Sequence, residues 1–285
     1  MTDTTRNRQE PEDYFGEQIA ATYDDPTSEM FQQATVDATA EVLAELADGG
    51  EALEFAVGTG RIALPLSARG VPVHGIDLSR AMVARLREKP GGEEIGVEFG
   101  DFATTRVPGG EAAFRLAYLV FNTIGNLTTQ DAQVDCFANA ARHLEPGGRF
   151  VIEVVVPELR KLPPGQDTIL FQQGPDVWGY DVYDTATQAM SSNYVTLDGP
   201  HSRFRSIPFR YVWPAELDLM ARMAGMRLLH RWSDWNREPF TAESGKHVSV
   251  WEKVGQDVSS RRLMPLAQPP QNPPMDLSST PPSAP

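Results

Sequence analysis

The chain has 285 residues, 41% of them hydrophobic, and carries a net charge of −14 at pH 7. That length accommodates one large α/β domain with an added element, or two small domains. The charge argues against nucleic acid as a partner because no basic run offsets it, and no apolar stretch approaches the roughly 20 residues of a membrane span. The single cysteine, Cys136, excludes an internal disulfide and a cysteine-rich metal site. The sequence thus predicts a soluble, cytoplasmic protein.

The first part of the chain predicts a disordered start and one helix. Residues 1–13 are polar, without a signal-peptide core, and we expect them to be disordered. Two tyrosines, Tyr14 and Tyr23, come next. Apolar residues then recur at helical spacing from about Ser28 to Ala47, and two glycines end this helix.

An apolar strand at about 51–57 breaks into a glycine turn and a helix at about 61–69. Such a passage is typical of nucleotide-binding α/β units, because glycines let backbone approach a ligand and a helix N-terminus offers unpaired N–H groups. The turn has small residues at alternate positions after an acidic one, namely Glu54, Ala56, Gly58 and Gly60. Arg61 stands where a dinucleotide-binding turn needs its third glycine, so that pattern is not met. A strand–turn–helix without a ligand is the alternative at this point.

Acidic residues follow the next two predicted strands. Asp77 ends the second strand, 23 residues beyond the acidic residue of the turn. This spacing places a carboxylate where it can accept hydrogen bonds from ribose hydroxyls; a cap on the helix that begins at Ser79 is the alternative. A third short strand, 95–99, is followed by Asp101 and Phe102.

The fourth strand, 114–122, is almost continuously apolar, as expected for a strand covered on both faces. Phe121 and Asn122 lie at its carboxyl end, the edge at which open α/β sheets bind ligands. The sequence therefore places both residues near a site.

A helix at 130–144 is predicted to bury a stripe that includes Ala138 and to leave Cys136 and His143 off that face, as bystanders. A fifth strand at 149–154 follows a Pro-Gly-Gly turn.

The character of the chain changes between residues 157 and 212. Short β-branched or aromatic segments, separated by Gly, Pro or Asp, occur near 168–171, 177–183, 190–197 and 203–210. They predict an antiparallel insertion. Because it follows the fifth strand, the insertion leaves the sheet at the ligand-binding edge, where it could serve as a lid, an acceptor platform or a dimer surface.

The last ordered part predicts a helix from Pro214 and a closing strand pair at 227–232 and 247–254. Residues 255–285 are rich in proline without periodic apolar spacing, which predicts a disordered tail.

These landmarks resemble those of the class I S-adenosylmethionine-dependent methyltransferases. The turn resembles their motif I, an acidic residue followed by three alternate glycines, with Ala56 in place of the first glycine. The resemblance covers residues 14–254 and implies one domain. It implies an α/β fold with a doubly wound, mostly parallel seven-stranded sheet, whose last strand runs antiparallel between the fifth and sixth, and a small antiparallel insertion at 157–212.

The resemblance also implies S-adenosyl-L-methionine as cofactor and a set of residues that would bind it. In such enzymes an acidic residue after the third strand holds the adenine amino group and an apolar neighbour lines the ring, which suits Asp101 and Phe102. Early tyrosines often close over the cofactor, although packing of the first helix on the core explains them equally well. The predicted cofactor-binding residues are Tyr14, Tyr23, Glu54, Ala56, Gly58, Gly60, Arg61, Asp77, Leu78, Asp101, Phe102 and Phe121.

The acceptor side is predicted from topology. The loop 233–246 and the start of the last strand meet the active-site edge, which places Trp235, Arg237 and His247 near an acceptor, although a lone His there is more often structural. Asn122 and His247 are the predicted catalytic residues, and no metal is expected.

The insertion resembles that of small-molecule methyltransferases such as those of sugar amines and secondary metabolites. We therefore expect methyl transfer to a nitrogen or oxygen of a small molecule, and the sequence leaves a homodimer open. The alternatives are a nicotinamide-dependent oxidoreductase and a non-catalytic module that binds the same cofactor.

Overall fold

The structure, a computed structural model, describes residues 15–24 and 29–255. In those ranges no helix is long and apolar enough to cross a membrane. The predictions for residues 1–13, for Tyr14 and for the tail beyond Gly255 lie outside the described residues.

Two sheets organise the chain. The strands, in chain order, are β1 (Ala52–Phe55), β2 (Val73–Asp77), β3 (Gly96–Phe99), β4 (Phe114–Leu119), β5 (Leu144–Val155), β6 (Thr168–Gln173), β7 (Val177–Tyr183), β8 (Ala189–Asp198), β9 (His201–Arg210), β10 (Met226–Trp232) and β11 (Lys246–Lys253). The large sheet has the order β10-β11-β5-β4-β1-β2-β3, and β11 runs antiparallel to both of its neighbours. The small sheet is antiparallel, in the order β6-β7-β8-β9. The predicted fold class is confirmed.

The helices lie between and before the strands, and two of them begin at side-chain caps. They are α1 (Glu17–Ala20), α2 (Gln33–Ala47), α3 (Ala63–Ser67), α4 (Arg80–Arg87), α5 (Gln130–His143) and α6 (Pro214–Met223), with 3-10 turns at Glu29–Phe31, Gly92–Glu94, Thr123–Asn126 and Leu159–Lys161. Ser79 starts α4, since its hydroxyl accepts the Met82 N–H at 3.1 Å. Thr129 caps α5 in the same way at 3.2 Å. Because caps occupy the orphan donors of a first turn, they fix where each helix leaves the sheet edge.

The core lies on both faces of the large sheet, and the strands alternate between the two. Leu53 and Phe55 of β1 face one side, where they pack with α5 and α6, while Ala52 faces the side of α2. Tyr118 of β4 also faces the second side and is fully buried. This alternation, with both faces covered, explains the almost continuous apolarity of β4.

The prediction for the buried face of α5 is wrong in part. Ala138 is exposed, whereas Cys136 and His143 are buried. The reason is that the loop after β3 covers a second side of the helix. The Nε2 of His143 accepts the Val107 N–H at 3.1 Å, and its Nδ1 donates to the Asn139 carbonyl at 2.9 Å. Burial lowers the pKa of His143, in keeping with a neutral ring that makes both bonds.

The small sheet leaves β5 and returns at α6, as the sequence predicts. The pairing of β6 with β7 contains a bulge between Leu170 and Gln172. The last residue of β9, Arg210, is buried and forms an ion pair with Glu216 of α6 at 2.7 Å. Arg210 also donates to Gln133 of α5. This polar cluster therefore ties the insertion to two helices of the large domain.

The pKa of Glu216 is lowered. Burial alone would raise it, but hydrogen bonds from Arg210 and from two glutamines outweigh the burial. The ion pair is thus charged and desolvated at neutral pH, which makes the loss of either partner costly.

Candidate active site

Three residues at alternate positions of the turn after β1 have a left-handed backbone conformation. Ala56, Gly58 and Gly60 have φ angles of 56°, 55° and 78°. At Gly60 a Cβ atom would collide with the buried side chain of Leu86, so this position requires glycine for space as well as conformation. At Gly58 the nearest atom to such a Cβ lies 3.8 Å away, which leaves this backbone open to the cavity beside it. Ala56 adopts a conformation that costs an L-residue about 1–2 kcal/mol.

Asp77 joins the turn to the end of β2. Its carboxylate accepts the Gly58 N–H at 2.6 Å and the Ser79 N–H at 2.7 Å. Burial raises the pKa of Asp77, and the backbone N–H groups oppose that rise. A carboxylate has about four acceptor positions, so capacity remains for a ligand hydroxyl. Asp77 therefore forms part of the turn and also lines the cavity, whereas the cap of α4 is Ser79.

A cavity of about 400 Å³ opens at the carboxyl ends of β1, β2, β3 and β4. Seven of the predicted cofactor-binding residues line it: Tyr23, Ala56, Gly58, Asp77, Leu78, Asp101 and Phe102. The remaining lining residues were not predicted as site residues: Phe15, Ser79, Met82, Thr123, Asn126, Leu127, Thr128, Thr129, Ala132, Ile207 and Pro208. The cavity thus extends from the glycine turn to the start of α5 and to β9 of the insertion.

One wall is formed by the segment after β3. The Oδ1 of Asp101 accepts the Ala103 N–H at 2.8 Å, and Asp101 is otherwise exposed toward the cavity. The ring of Phe102 packs against Phe55, with centroids 6.0 Å apart. Asn139 holds this segment by donating to the Phe102 carbonyl at 2.8 Å. The ring of Phe102 and the carboxylate of Asp101 therefore share one wall of the cavity.

The segment before α2 covers another side of the cavity. Phe15 and Tyr23 line it, and the Ser79 hydroxyl donates to the Phe15 carbonyl at 2.6 Å. Asp24 accepts a hydrogen bond from Thr59 at 2.5 Å and pairs with Lys89 at 2.6 Å. Burial raises the pKa of Tyr23. Polar contacts to the glycine turn and to α4 therefore hold this segment over the site.

Four other predicted cofactor residues lie next to the cavity without lining it. Glu54 is buried behind the turn and accepts a hydrogen bond from the Tyr118 hydroxyl at 2.9 Å. Burial raises its pKa to about 8. Gly60 serves packing, as described above. The guanidinium of Arg61 lies between two rings, 5.7 Å from the centroid of Phe31 and 5.6 Å from that of Phe121.

The two predicted catalytic residues do not line this cavity. The Asn122 side chain accepts the Val155 N–H at 2.6 Å, so it links the ends of β4 and β5 and lies beside a separate cavity of about 200 Å³. His247 is fully buried, and its Nδ1 lies 2.8 Å from the Ser249 hydroxyl. Burial, with a smaller effect of Arg231, lowers its pKa to about 3. Neither position supports contact with an acceptor in the main cavity.

Trp235 and Arg237, which topology predicts to lie near an acceptor, do not line the main cavity either. Trp235 is buried in the core on the α2 side of the sheet. Arg237 pairs with Glu45 of α2 and lies over the ring of Trp232. The loop 233–246 therefore folds back on the domain instead of over the main cavity.

Comparison with known proteins identifies the fold. A family model described as a methyltransferase domain matches residues 52–148. The solved structure of the CcbJ methyltransferase from Streptomyces caelestis is 33% identical, covers 87% of this chain and 100% of that chain, and gives a TM-score of 0.76. The cypemycin N-terminal methyltransferase of a Streptomyces species is 25% identical over 211 residues, 72% of this chain and 84% of that protein. CalS10 from Micromonospora echinaspora, an amino pentose methyltransferase solved with S-adenosylmethionine bound, shares the fold at 21% identity, with a TM-score of 0.58 over 82% of this chain and 95% of that chain.

The sheet order, the glycine turn and the cavity at the carboxyl edge define a class I methyltransferase fold. The chain belongs to the S-adenosylmethionine-dependent methyltransferases. It is an enzyme with S-adenosyl-L-methionine as its cofactor. The comparisons support neither the oxidoreductase nor the non-catalytic module as an alternative.

The residues present fit this cofactor. The open backbone at Gly58, the remaining acceptor capacity of Asp77 and the ring of Phe102 offer sites for polar and flat groups. The cavity volume lies within the roughly 300–1,000 Å³ of small-molecule sites.

Proposed function

We propose that this protein transfers a methyl group from S-adenosylmethionine to a nitrogen or oxygen of a small-molecule acceptor. One observation carries the proposal: the cavity continues from the glycine turn to Thr128 and to Ile207 and Pro208 of β9, beyond the predicted cofactor residues. One relative named above, an N-terminal methyltransferase, supports nitrogen as the first choice to test.

The roles of the residues follow from their positions. Asp77 accepts ribose hydroxyls, while Asp101 and Phe102 hold the adenine. Tyr23 closes the opposite side of the cavity, Arg61 and Phe121 lie next to it, and the turn residues allow close approach of the backbone. The end of the cavity near β9, lined by hydroxyl, amide and apolar groups, holds the acceptor.

When bound, S-adenosylmethionine supplies an electrophilic methyl group on a sulfonium. The chain then has to bring the acceptor lone pair into line with the methyl carbon, at about 3–3.5 Å, and to exclude water. No side chain is required to form a covalent bond. A base is needed only where the acceptor nitrogen or oxygen carries a proton at the working pH.

We also propose that residues 14–254 form one methyltransferase domain whose insertion, 157–212, supplies the acceptor end. We further propose that the protein acts in the cytoplasm, without nucleic acid as a partner, and pairs with a second copy of itself. The net charge of −14 supports the proposal on nucleic acid.

Titration calorimetry with S-adenosylhomocysteine tests the cofactor site. Asp101→Asn retains the oxygen that accepts the Ala103 N–H but replaces the other oxygen with an amide. Because a hydrogen bond to a charged group contributes roughly 1.5–3 kcal/mol, we expect the Kd to rise about 10- to 100-fold. Glu94→Gln, the same change at an exposed residue, is the matched control. An unchanged Kd in Asp101→Asn would remove Asp101 from the site, and binding of NADH in place of S-adenosylhomocysteine would overturn the cofactor assignment.

A screen of amines, alcohols and phenols, followed by release of S-adenosylhomocysteine, tests the reaction. Ile207→Trp narrows the acceptor end and should lower kcat/KM at least 10-fold, with cofactor affinity within threefold of the wild type. Thr196→Trp is the control, since Thr196 is exposed on the same sheet and does not line the cavity. Equal loss of cofactor affinity in Ile207→Trp would show that β9 belongs to the cofactor site.

A further inference from the structure

Arg61 carries a positive charge at the end of the glycine turn that no ion pair neutralises within the described ranges. Its Nη1 donates to the Met30 carbonyl at 3.0 Å. Its guanidinium lies between the rings of Phe31 and Phe121, whose centroids are 5.7 and 5.6 Å away. These contacts fix the side chain but supply no anion. Because a guanidinium has five N–H groups, Arg61 retains donors for a ligand.

The buried carboxyl behind the turn does not neutralise this charge either. Burial raises the pKa of Glu54 to about 8, although the Tyr118 hydroxyl and the charge of Arg61 both act to lower it. At pH 7 the carboxyl is therefore mostly protonated. The charge of Arg61 also reaches the main cavity: burial raises the pKa of Tyr23, which lines that cavity, and Arg61 opposes the rise. The turn thus presents a positive charge to this side of the site.

The strand order sets the direction in which the cofactor extends. β3, β2, β1 and β4 are neighbours in that order. Under the proposed function, on which this inference rests, Asp101 after β3 holds adenine and Asp77 at the end of β2 holds ribose. In S-adenosylmethionine the sulfonium and then the amino-acid group follow ribose. They therefore extend past the turn after β1, toward Phe121 after β4. Adjacent strands lie about 4.8 Å apart, a step that a short aliphatic chain spans.

We infer that Arg61 binds the α-carboxylate of S-adenosylmethionine and makes the enzyme select adenosyl ligands that carry an amino-acid group. The planar fork of a guanidinium matches a carboxylate with two parallel hydrogen bonds. The two flanking rings exclude part of the water around Arg61, which strengthens its attraction for an anion. A lysine would supply only a point charge, so the shape of Arg61 matters as well as its charge.

The competing explanation is that Arg61 only fastens the segment around Met30 to the turn. Loss of such a fastening would weaken every adenosyl ligand alike, because the segment before α2 covers the whole cofactor side of the cavity. Loss of a carboxylate receptor would weaken only the ligands that carry the carboxylate. Two ligands that differ in this one group therefore separate the two roles.

The test is titration calorimetry of the full-length chain with S-adenosylmethionine and with decarboxylated S-adenosylmethionine, which retains the sulfonium and the amino group. We expect the wild type to bind S-adenosylmethionine about 10- to 100-fold more tightly, the usual effect of hydrogen bonds between charged groups. Arg61→Met should abolish this preference, with a Kd for the decarboxylated ligand within about threefold of the wild type. Arg61→Lys should retain part of the preference. If Arg61→Met does not fold, Arg61→Gln carries the same test.

Arg205→Met is the matched control. Arg205 is exposed, also lies over an aromatic ring, 4.6 Å from the centroid of Tyr194, and lines neither of the two cavities. Its preference should equal that of the wild type. A wild type that binds both ligands equally well overturns the inference without any variant, and so does an equal loss of affinity for both ligands in Arg61→Met. A wild type that binds neither ligand would overturn the proposed function itself.

Discussion

The buried carboxyl of Glu54 provides a quantitative test of the electrostatics behind the glycine turn. Its side chain is only 3% exposed, and burial raises its pKa from the usual 4.5 to about 8. At pH 7 the folded protein therefore holds a proton that the unfolded chain releases. Titration of Glu54 does not reduce the free energy of unfolding below pH 4.5, where the carboxyl is protonated in both the folded and the unfolded state. The free energy of unfolding falls progressively as the pH rises from 4.5 to about 8.

The magnitude follows from the pKa difference. Each unit corresponds to about 1.36 kcal/mol, so the interval from 4.5 to 7 corresponds to roughly 3 kcal/mol of lost stability at pH 7. Glu54→Gln removes the titration but retains a neutral planar group. Its amide oxygen can accept the hydrogen bond from the Tyr118 hydroxyl, as the carboxyl oxygen does. We expect this variant to be about 2–3 kcal/mol more stable than the wild type at pH 7 and equal to it near pH 4.5.

Urea denaturation at pH 5, 6, 7 and 8 measures this difference. It should grow by up to about 1.4 kcal/mol per pH unit and level off above pH 8. Glu93→Gln, at an exposed position, is the control and should differ from the wild type by less than about 0.5 kcal/mol throughout. A difference that does not change with pH, or a Glu54→Gln variant less stable than the wild type at pH 7, would refute a protonated Glu54.

Three further changes test the turn and the anchor of the insertion by the same denaturation assay. Ala56→Gly removes the strain of a left-handed alanine but increases the backbone entropy of the unfolded chain. The net effect should raise the free energy of unfolding by about 0.5 kcal/mol, and a loss of 1 kcal/mol or more would contradict this. Gly60→Ala combines positive φ with a collision at Leu86 and should cost about 2–4 kcal/mol, so a neutral result would disprove the packing argument. Arg210→Met leaves Glu216 buried without its partner and should cost about 3–5 kcal/mol, much of it recovered when Glu216→Leu is added; no recovery would mean that packing dominates.

The cofactor side of the cavity could be predicted because its residues follow strand ends at regular spacing. Parallel strands bring their carboxyl ends to one edge, so Gly58, Asp77 and Asp101 had to lie near one another once the strands were recognised. That spacing does not reveal backbone partners. Asp77 binds the turn itself through Gly58 and Ser79, a role that emerges only when the turn conformation is known.

The acceptor side was less accessible to sequence reasoning. Topology places His247 at the right edge of the sheet, but the direction of a side chain depends on strand parity and packing, and His247 points into the core. Ile207 and Pro208 reach the cavity because Arg210 fixes β9 to α5, a helix distant in sequence, through Gln133. Such a docking contact leaves no local pattern. The cap at Thr129 was the available signal for the start of α5 at the cavity.

The bulge in β6 bears on how this protein avoids uncontrolled association. An open four-stranded sheet presents two free edges, and a straight edge strand can template addition of strand after strand from other chains. The irregular pairing between Leu170 and Gln172 interrupts one edge, and Pro208 in β9 has no N–H to offer at the other. The two edges of the small sheet are therefore poor templates for strands added from other chains.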